Sequence, residues 1–162
     1  MLFANTWLRL FGLLAAALVG LPVIVLAILS LCSRRPANLG STDGWLTDCP
    51  DTPNCVCSQA TRADQRITPI DFTETADEAW QRLKKVVAAL PNSRVVREEG
   101  AYLHVECTSS VFRFVDDLEF LMDAERHVIH YRSASRVGYS DWGVNRRRLE
   151  AVRRAFHRDA MR

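Results

Sequence analysis

RSASRVGYSDWGVNRRR, at residues 132–148, is the stretch that the rest of this chain is predicted to support. It combines five arginines with serine, tyrosine, aspartate and asparagine side chains, and two glycines, Gly138 and Gly143, lie within it. It connects a predicted last strand to a predicted last helix. Linkers are also polar, but they seldom combine so many anion-binding donors with turn-forming glycines. We therefore expect the folded chain to hold this stretch in a fixed arrangement.

The predicted last helix begins at the end of this stretch. Leu149, Val152 and Phe156 follow helical spacing and form an apolar stripe. Projecting the stripe backward at about 100° per residue places Asn145 on the same inward side. An amide on an apolar face needs hydrogen-bond partners, so Asn145 is predicted either to cap the helix or to anchor the loop at residues 138–143.

The polar residues around this loop form a candidate site for an anionic group. Convergence of its arginines would create a fork-like receptor for carboxylate, phosphate or sulfate, aided by the free N–H groups of the helix start. Alternatively, the aspartates of the site, together with Asp116, neutralise the arginines in an ion-pair network that only fixes the loop. The candidate binding residues are Arg132, Ser133, Arg136, Ser140, Asp141, Asn145, Arg148 and Asp117.

Length and charge limit the functions that the chain can have. Its 162 residues are enough for one domain plus an appendage. The formal net charge is only +2, and a charge this small predicts no nucleic-acid partner. The last helix is nevertheless rich in arginine. This pattern indicates either a solvated helix face or contact with anionic lipid headgroups or an acidic partner.

An uncharged apolar run, LFGLLAAALVGLPVIVLAILSLC, occupies residues 10–32. It is long enough to cross a hydrocarbon core of about 30 Å as a helix, and it is longer than the apolar part of a cleaved secretory signal. Pro22 is expected to kink this helix without ending it. We interpret the run as an uncleaved single-pass anchor in the lipid bilayer. A short tail at residues 1–9 precedes it, and a linker at residues 33–48 and a globular domain at residues 49–162 follow.

The cysteines indicate the side of the membrane on which the domain lies, because the basic residues that flank the anchor are nearly balanced. Cys49, Cys55 and Cys57 cluster after the anchor. A bond between Cys49 and Cys55 would close a small loop, and such a bond persists only in an oxidising compartment. We therefore expect a cytoplasmic tail, an anchor in the cell inner membrane and a periplasmic domain. The three cysteines lack the paired spacing of structural zinc ligands, and the sequence predicts no metal and no cofactor.

The part of the chain between the cysteines and the last helix predicts an α+β fold. A capping box, Thr75 with Glu78, opens a helix at residues 75–90, and Trp80 lies on the apolar stripe of that helix. Four alternating runs follow, at residues 94–98, 101–107, 111–122 (with Phe112 and Phe114 on one face) and 127–132, separated by hairpin-length turns. They predict a four-stranded antiparallel meander sheet packed by two helices. A change of parity at residues 116–117 predicts a bulge or a bend in the third strand.

Three motifs connect the chain with a known family. They are PNCVCSQA at residues 53–60, FVDDLEF at residues 114–120 and RSASRVGYSDWGVNRRRLE at residues 132–150. On these motifs the chain resembles the domain of unknown function 1499 family. The resemblance implies an exported or membrane-linked protein of bacterial or plastid type. It implies no particular activity, cofactor or catalytic residue.

Two hypotheses about function follow from these patterns. The first is a membrane-anchored, non-catalytic binding or assembly module whose candidate site recognises an anionic small molecule or an envelope protein partner. The second is a hydrolase or isomerase that acts on a small anionic envelope metabolite, with Asp117 or Asp141 as general base and Arg136 as oxyanion stabiliser. Ser58 is one of several serines that could act as a nucleophile, but none of them lies in a recognised nucleophile motif.

Overall fold

An apolar helix opens the chain, and an α+β domain follows it. The structure, a computed structural model, describes residues 2–31 and 33–160, with side chains from residue 11 onward. The described helices are α1 (Leu2–Leu31), α2 (Ala76–Ala88) and α3 (Val144–Asp159). The described strands are β1 (Ser41–Thr42), β2 (Trp45–Leu46), β3 (Cys55–Cys57), β4 (Ile70–Asp71), β5 (Ser93–Glu99), β6 (Tyr102–Thr108), β7 (Val115–Asp123) and β8 (Val128–Ser135).

Helix α1 contains the apolar run predicted from the sequence. Its segment Phe11–Leu31 spans 21 residues and is long and apolar enough to cross a membrane, and none of its hydrophobic window is buried within the protein. Pro22 lies inside the helix without ending it. The predicted segment extended to Cys32, which lies outside the described residues. Length and composition are therefore compatible with a single-pass anchor.

The main sheet has six strands, so the predicted count of four is wrong. Strands β5 to β8 form the predicted antiparallel meander, but β3 and β4 also pair with β8 and extend the sheet beyond it. These two strands contain three and two residues. Strands this short contain too few residues to show an alternating pattern in the sequence. They are extended because their backbone groups pair with those of β8.

Two details of the meander differ from the prediction. Strand β7 keeps a continuous register with both neighbours, so the predicted bulge at residues 116–117 is wrong, and the register shift lies in β5 instead. Phe112 and Phe114 precede β7, so they belong to the turn and not to the strand. Strand β8 also continues through Ser135, beyond the predicted end at Arg132. The loop between β8 and α3 therefore spans residues 136–143.

Helices α2 and α3 cover one face of this sheet. Thr75 and Glu78 exchange the two bonds of the predicted capping box at the start of α2. The apolar stripes of both helices pack against alternate residues of the strands, as in other two-layer α+β folds. The residues of this core that are fully buried are Ile70, Ala79, Leu83, Val87, Leu103, Val105, Leu118, Phe120, Ile129, Tyr131, Leu149, Val152 and Phe156.

The chain immediately after α1 contacts the opposite face of the sheet. Strands β1 and β2 form a hairpin within the stretch predicted as a linker, and Leu46 packs with Tyr102 and Leu121 of that face. Gln59 attaches the hairpin to the chain that follows β3. Its side-chain amide accepts from the Leu46 N–H at 2.9 Å and donates to the Gly44 carbonyl at 2.9 Å. We call residues 35–46 the covering segment.

The four described cysteines of the domain form one disulfide and two buried thiols. Cys49, three residues after the covering segment, forms a disulfide with Cys55, the first residue of β3. Cys57 and Cys107 are free and buried, and burial raises the pKa of each thiol to about 11. Thiols with so high a pKa react slowly at neutral pH, because the thiolate is the reactive form.

Candidate functional site

The predicted site residues are divided between the two faces of the sheet. Successive residues of a strand point to opposite faces. Strand β8 therefore directs Ser133 toward the helices and Arg132 toward the covering segment, and β7 does the same with Asp116 and Asp117. We call the two groups the helix-face network and the covered-face network.

Asn145 is the centre of the helix-face network. Its side chain is fully buried, and its carbonyl oxygen accepts from the Ser133 hydroxyl and from Arg148 Nη1, the latter at 2.7 Å. Its Nδ2 donates to the Asn54 carbonyl at 3.0 Å and to Ser135 Oγ at 2.9 Å. Every polar atom of this amide therefore has a partner, which is what a buried amide requires.

The same network attaches the loop at residues 136–143 to the sheet. Asn54 Nδ2 donates to the Gly138 carbonyl at 2.6 Å, so the loop is linked to Asn145 through Asn54. Arg148 Nη2 donates to Asp116 Oδ2 at 2.7 Å. Of the two roles predicted for Asn145, the structure favours anchoring of the loop.

Asp141 performs the capping role at the start of α3. Gly143 occupies the cap position with φ 75° and no side chain to contribute. The Asp141 carboxylate accepts instead from the N–H groups of Gly143 at 2.9 Å and Asn145 at 2.7 Å. A carboxylate in this position is stabilised by the free N–H groups and by the helix dipole. Ser140, the other predicted loop residue, accepts from the nearby Trp142 N–H at 3.3 Å.

The covered-face network begins with a buried ion pair between Asp117 and Arg136. Arg136 donates from Nε to Oδ2 at 2.8 Å and from Nη2 to Oδ1 at 2.7 Å, and His104 Nε2 lies 2.8 Å from Oδ1. Burial opposes ionisation of Asp117, but the bonds from Arg136 and His104 outweigh it and lower its pKa from 3.8. Asp117 is therefore a weak base, and both of its carboxylate oxygens are already bonded to Arg136.

Glu119 is the second carboxylate of this network and is fully buried. It accepts from Arg132 Nη1 at 2.7 Å, from the Tyr102 hydroxyl at 2.7 Å and from the Gly40 N–H at 2.8 Å. Burial, followed by the charge of Glu119, raises the pKa of Tyr102. This carboxylate thus bonds the covering segment directly to the centre of the sheet.

Glu106 is the third carboxylate, and it receives three arginines. Its Oε1 accepts from Arg35 Nη2 at 2.7 Å and from Arg136 Nη2 at 2.5 Å, while Arg94 Nη2 donates to its Oε2 at 2.9 Å. Burial opposes ionisation, but the bonds from Arg136, Arg94 and Arg35 outweigh it and lower the pKa of Glu106 to about 2. Arg35 lies four residues after the end of α1, so this network also holds the start of the covering segment.

A small pocket of about 260 Å³ lies beside the covered-face network. Asp117, Arg132 and Arg136 line it, together with residues near the disulfide. Each of these charges is already paired with an opposite charge. Arg148 lies on the other face of the sheet, so Arg132, Arg136 and Arg148 do not converge on one anion. The arrangement matches the alternative of an ion-pair network that fixes the loop.

A larger cleft, which the sequence did not indicate as a site, lies between α3 and the chain from residue 58 to residue 69. Its volume is about 730 Å³. Arg66, Arg146, Arg153 and Arg154 line it with a single carboxylate, Glu150, and we call it the arginine cleft. The three helical arginines are spaced at i, i+7 and i+8, which places them on one face of α3. The spacing of these three arginines is visible in the sequence. The position of Arg66 opposite α3 is not, because it depends on the tertiary fold.

Two arginines of the cleft bond to backbone carbonyls and not to carboxylates. Arg146 donates to the Arg66 carbonyl at 3.1 Å and to the Asp64 carbonyl at 2.7 Å. Arg66 donates to the carbonyls of Ala60 at 2.8 Å and Thr61 at 3.0 Å. These bonds orient both guanidinium groups and leave their charge unneutralised.

The other two arginines have only distant carboxylates. Arg153 lies 3.7 Å from Asp71, and Arg154 lies 3.9 Å from Glu150, both beyond hydrogen-bond distance. Arg153 Nε is also buried without a hydrogen-bond partner among the described residues. A buried donor without an acceptor is costly, so the Arg153 guanidinium is not fully satisfied by the protein.

Ser58 lies at the edge of the same cleft and contacts a histidine. Its Oγ is 3.2 Å from His130 Nδ1 and accepts from the Tyr131 N–H at 3.0 Å. Burial lowers the pKa of His130, which keeps the ring neutral at neutral pH. The Ser58 hydroxyl also has a structural role, since it satisfies a β8 N–H group in the gap between β3 and β4. Among the described residues, no three His, Cys, Asp or Glu side chains are grouped to hold a metal ion.

The fold and site define a class of protein: an α+β domain with an antiparallel sheet, two covering helices and an apolar helix at its N-terminal side. Residues 45–156 match the family described as Protein of unknown function (DUF1499), and the chain belongs to this family. The match covers more than two thirds of the chain, and it confirms the family predicted from the three motifs. No curated protein and no solved structure gives a significant match to the chain.

Replacing Asn145 by alanine is expected to lower the free energy of unfolding by about 3 kcal/mol, because it leaves several buried donors and acceptors unpaired. Denaturant unfolding of the full chain in a mild detergent measures this change. Arg158→Ala, an exposed change on the same helix, should shift it by no more than about 0.5 kcal/mol. Equal effects of the two substitutions would show that Asn145 is not the centre of the network.

Acid is expected to destabilise the protein through the covered-face network. The pKa of Glu106 is about 2 in the folded state and 4.5 ordinarily, so its contribution is complete above pH 4.5 and is lost as the pH falls toward 2. Asp117 acts in the same direction. Melting temperatures measured between pH 7 and pH 2 should fall less steeply in Glu106→Gln, although this variant starts lower. Parallel curves for the two proteins would contradict the assignment.

Proposed function

We propose that this protein is a membrane-anchored, non-catalytic binding module whose anionic ligand occupies the arginine cleft. One observation carries the proposal: four guanidinium groups line the cleft with one carboxylate, so three positive charges have no matching carboxylate in its lining. Arginine forms bidentate bonds with phosphate and carboxylate, and it remains charged at any pH of interest. The cleft is therefore suited to a multiply charged anion.

An organic phosphate fits the cleft better than a monocarboxylate. A phosphate group carries close to two negative charges at neutral pH and presents three acceptor oxygens. Arg153 and Arg154 are free to bond to such oxygens, while Arg66 and Arg146 add a fixed positive field. Ile67 and Pro69 also line the cleft, and they can contact an apolar part of the same ligand.

The charge pairing elsewhere supports a binding function over catalysis. Asp117 and Asp141 were the predicted general bases, but Asp117 is bonded to Arg136 and Asp141 caps α3. Arg136, the predicted oxyanion stabiliser, is held by Asp117 and Glu106. A base or an oxyanion donor that is occupied by a neighbour must first be released, at the cost of a buried unpaired charge.

The location of the module rests on α1 and on the disulfide. Helix α1 is apolar enough to span the inner membrane once. The bond between Cys49 and Cys55 supports a domain on the periplasmic side, since disulfides persist in oxidising compartments. Arginines placed outside the membrane next to its surface are accessible to anionic metabolites and to acidic envelope proteins.

A hydrolase acting on a small anionic metabolite is the second candidate, and one observation favours it. Ser58 lines the arginine cleft and lies 3.2 Å from a neutral histidine, His130, which is the spacing of a nucleophile and its general base. A serine-directed fluorophosphonate probe would modify Ser58 in such an enzyme. A binding module would leave Ser58 unmodified, because its hydroxyl serves the β8 backbone.

Inorganic pyrophosphate is expected to bind the full chain in detergent, with an affinity that falls as the salt concentration rises. Arg154→Gln should weaken this binding about tenfold or more, because a charge-assisted bond contributes roughly 1.5–3 kcal/mol. Isothermal titration calorimetry without divalent cations measures both effects. Arg154 is chosen because it makes no bond that holds the cleft wall.

Arg126→Gln provides the matched control, since Arg126 is an exposed arginine in the turn between β7 and β8. It should bind pyrophosphate as the unmodified protein does. If neither protein binds pyrophosphate, or if both variants bind it equally well, the arginine cleft is not the site.

Cysteine labelling in intact cells tests the location of the domain. In a Cys32→Ala background, a membrane-impermeant maleimide should label the protein only after reduction, because Cys49 and Cys55 are bonded and the other thiols are buried. Cys55→Ser frees the half-buried Cys49 and should be labelled without reductant. Labelling that requires permeabilised cells in both variants would place the domain on the cytoplasmic side.

A further inference from the structure

One end of the sheet carries exposed apolar side chains. At this end β6 stops, β7 starts and β8 stops, as the pairs Thr108–Val115 and Asp116–Ser135 show. The loops at residues 109–114 and 136–143 leave the sheet here, and we call this the tether end. Its large exposed apolar side chains are Val111 at 80%, Tyr139 at 72% and Trp142 at 87% exposure.

The opposite end of the sheet has a different surface. Its turns, at residues 100–101 and 124–127, carry no large exposed hydrophobic side chain among the described residues. The longer turn reads AERH and is exposed throughout. Trp45 of the β1–β2 hairpin is also exposed, but of the described loops at the two ends of the sheet only those of the tether end carry exposed tryptophan and tyrosine. This difference indicates that the loops of the tether end meet a different environment.

The tether end is also where the chain enters the domain from α1. Arg35 and Arg136 both donate to Oε1 of Glu106, and Arg136 is the first residue of the loop at 136–143. Arg35 lies four positions after Leu31, the last residue of α1. A chain of that length spans at most about 14 Å, so the tether end stays close to the end of the apolar helix.

The loop at residues 136–143 holds Trp142 outward in a defined conformation. Trp142 has φ 54°, which is uncommon for a bulky residue, and Gly143 follows with φ 75°. The Asp141 carboxylate fixes the backbone on one side. Arg147 Nη1 donates to the Trp142 carbonyl at 2.8 Å on the other, so a guanidinium group is bonded to the backbone of this exposed residue.

We propose that the tether end docks on the surface of the bilayer that α1 is apolar enough to span, with Tyr139, Trp142 and Val111 at the level of the lipid headgroups. Tryptophan and tyrosine are enriched at this level because their rings are apolar and their tips are polar. Exposed Arg113 and Arg147 next to them suit anionic headgroups. The proposal rests on the membrane-anchoring part of the proposed function and is independent of the arginine cleft.

Site-directed fluorescence quenching tests this docking in the full chain. The Cys32→Ala protein is labelled with an environment-sensitive fluorophore at Tyr139→Cys or Val111→Cys, and reconstituted into phosphatidylcholine and phosphatidylglycerol vesicles that contain headgroup nitroxide lipids. Glu125→Cys, in the exposed turn at the opposite end, is the matched control. Quenching at positions 139 and 111 is expected to exceed quenching at position 125 several-fold.

A second substitution separates docking from mere proximity to the anchor. Adding Trp142→Ser to the protein labelled at position 139 should reduce the quenching at that label toward the level of position 125. All labelled proteins should melt at the temperature of the unlabelled chain, because the substituted positions are exposed. Equal quenching at positions 139 and 125 overturns the proposal, and so does quenching at 139 that is unchanged by Trp142→Ser.

A label in the anchor distinguishes failure of the docking proposal from failure of the membrane anchoring on which it rests. Leu18→Cys lies in α1 and should be quenched strongly by acyl-chain nitroxides if α1 spans the bilayer. Strong quenching at position 18 without quenching at 139 overturns docking alone. Absence of quenching at both positions overturns docking together with the membrane anchor.

Discussion

The buried ion pair between Asp117 and Arg136 is the interaction on which the rest of this structure depends. Neither charge can be buried alone, because an isolated charge in a protein interior costs several kcal/mol. Arg136 also reaches Glu106, and that carboxylate receives Arg35 from the chain that follows α1. One pair thereby connects a central strand, the start of the 136–143 loop and the entry of the chain from its apolar helix.

The 136–143 loop is held from both faces of the sheet. Arg136 fixes its beginning on the covered face, while Asn54 and Asn145 fix its middle and end on the helix face. Polar groups buried this completely define one arrangement, because any shift leaves donors or acceptors unpaired. The loop that results is stiff, and its exposed tip is formed by Tyr139 and Trp142.

The arginines of this chain therefore serve two different purposes. Arg132 and Arg136 are neutralised by buried carboxylates and Arg148 by the partly buried Asp116, and these pairs shape the domain. Arg66, Arg146, Arg153 and Arg154 line an open cleft in which most of the positive charge is unmatched. The first group provides rigidity. The second provides the electrostatic field that an anionic ligand needs, and it lies on a wall that the first group does not touch.

Local patterns in the sequence determined the apolar helix, the capping box of α2, the four long strands and the inward position of Asn145. Each of these follows from side-chain periodicity within a few residues, and periodicity is preserved whatever the chain later contacts. The family, too, could be recognised from its motifs.

Only the tertiary structure decided how the candidate site divides. Strand β8 continues to Ser135, so Arg132 and Ser133 point to opposite faces, and three arginines close in sequence do not meet at one anion. The two-residue strand β4, the three-residue strand β3 and the approach of Arg66 to α3 also depend on partners that are distant along the chain. The physical reason is that the register of a strand and the strands next to it determine which face of the sheet each side chain occupies. No local sequence pattern contains that information.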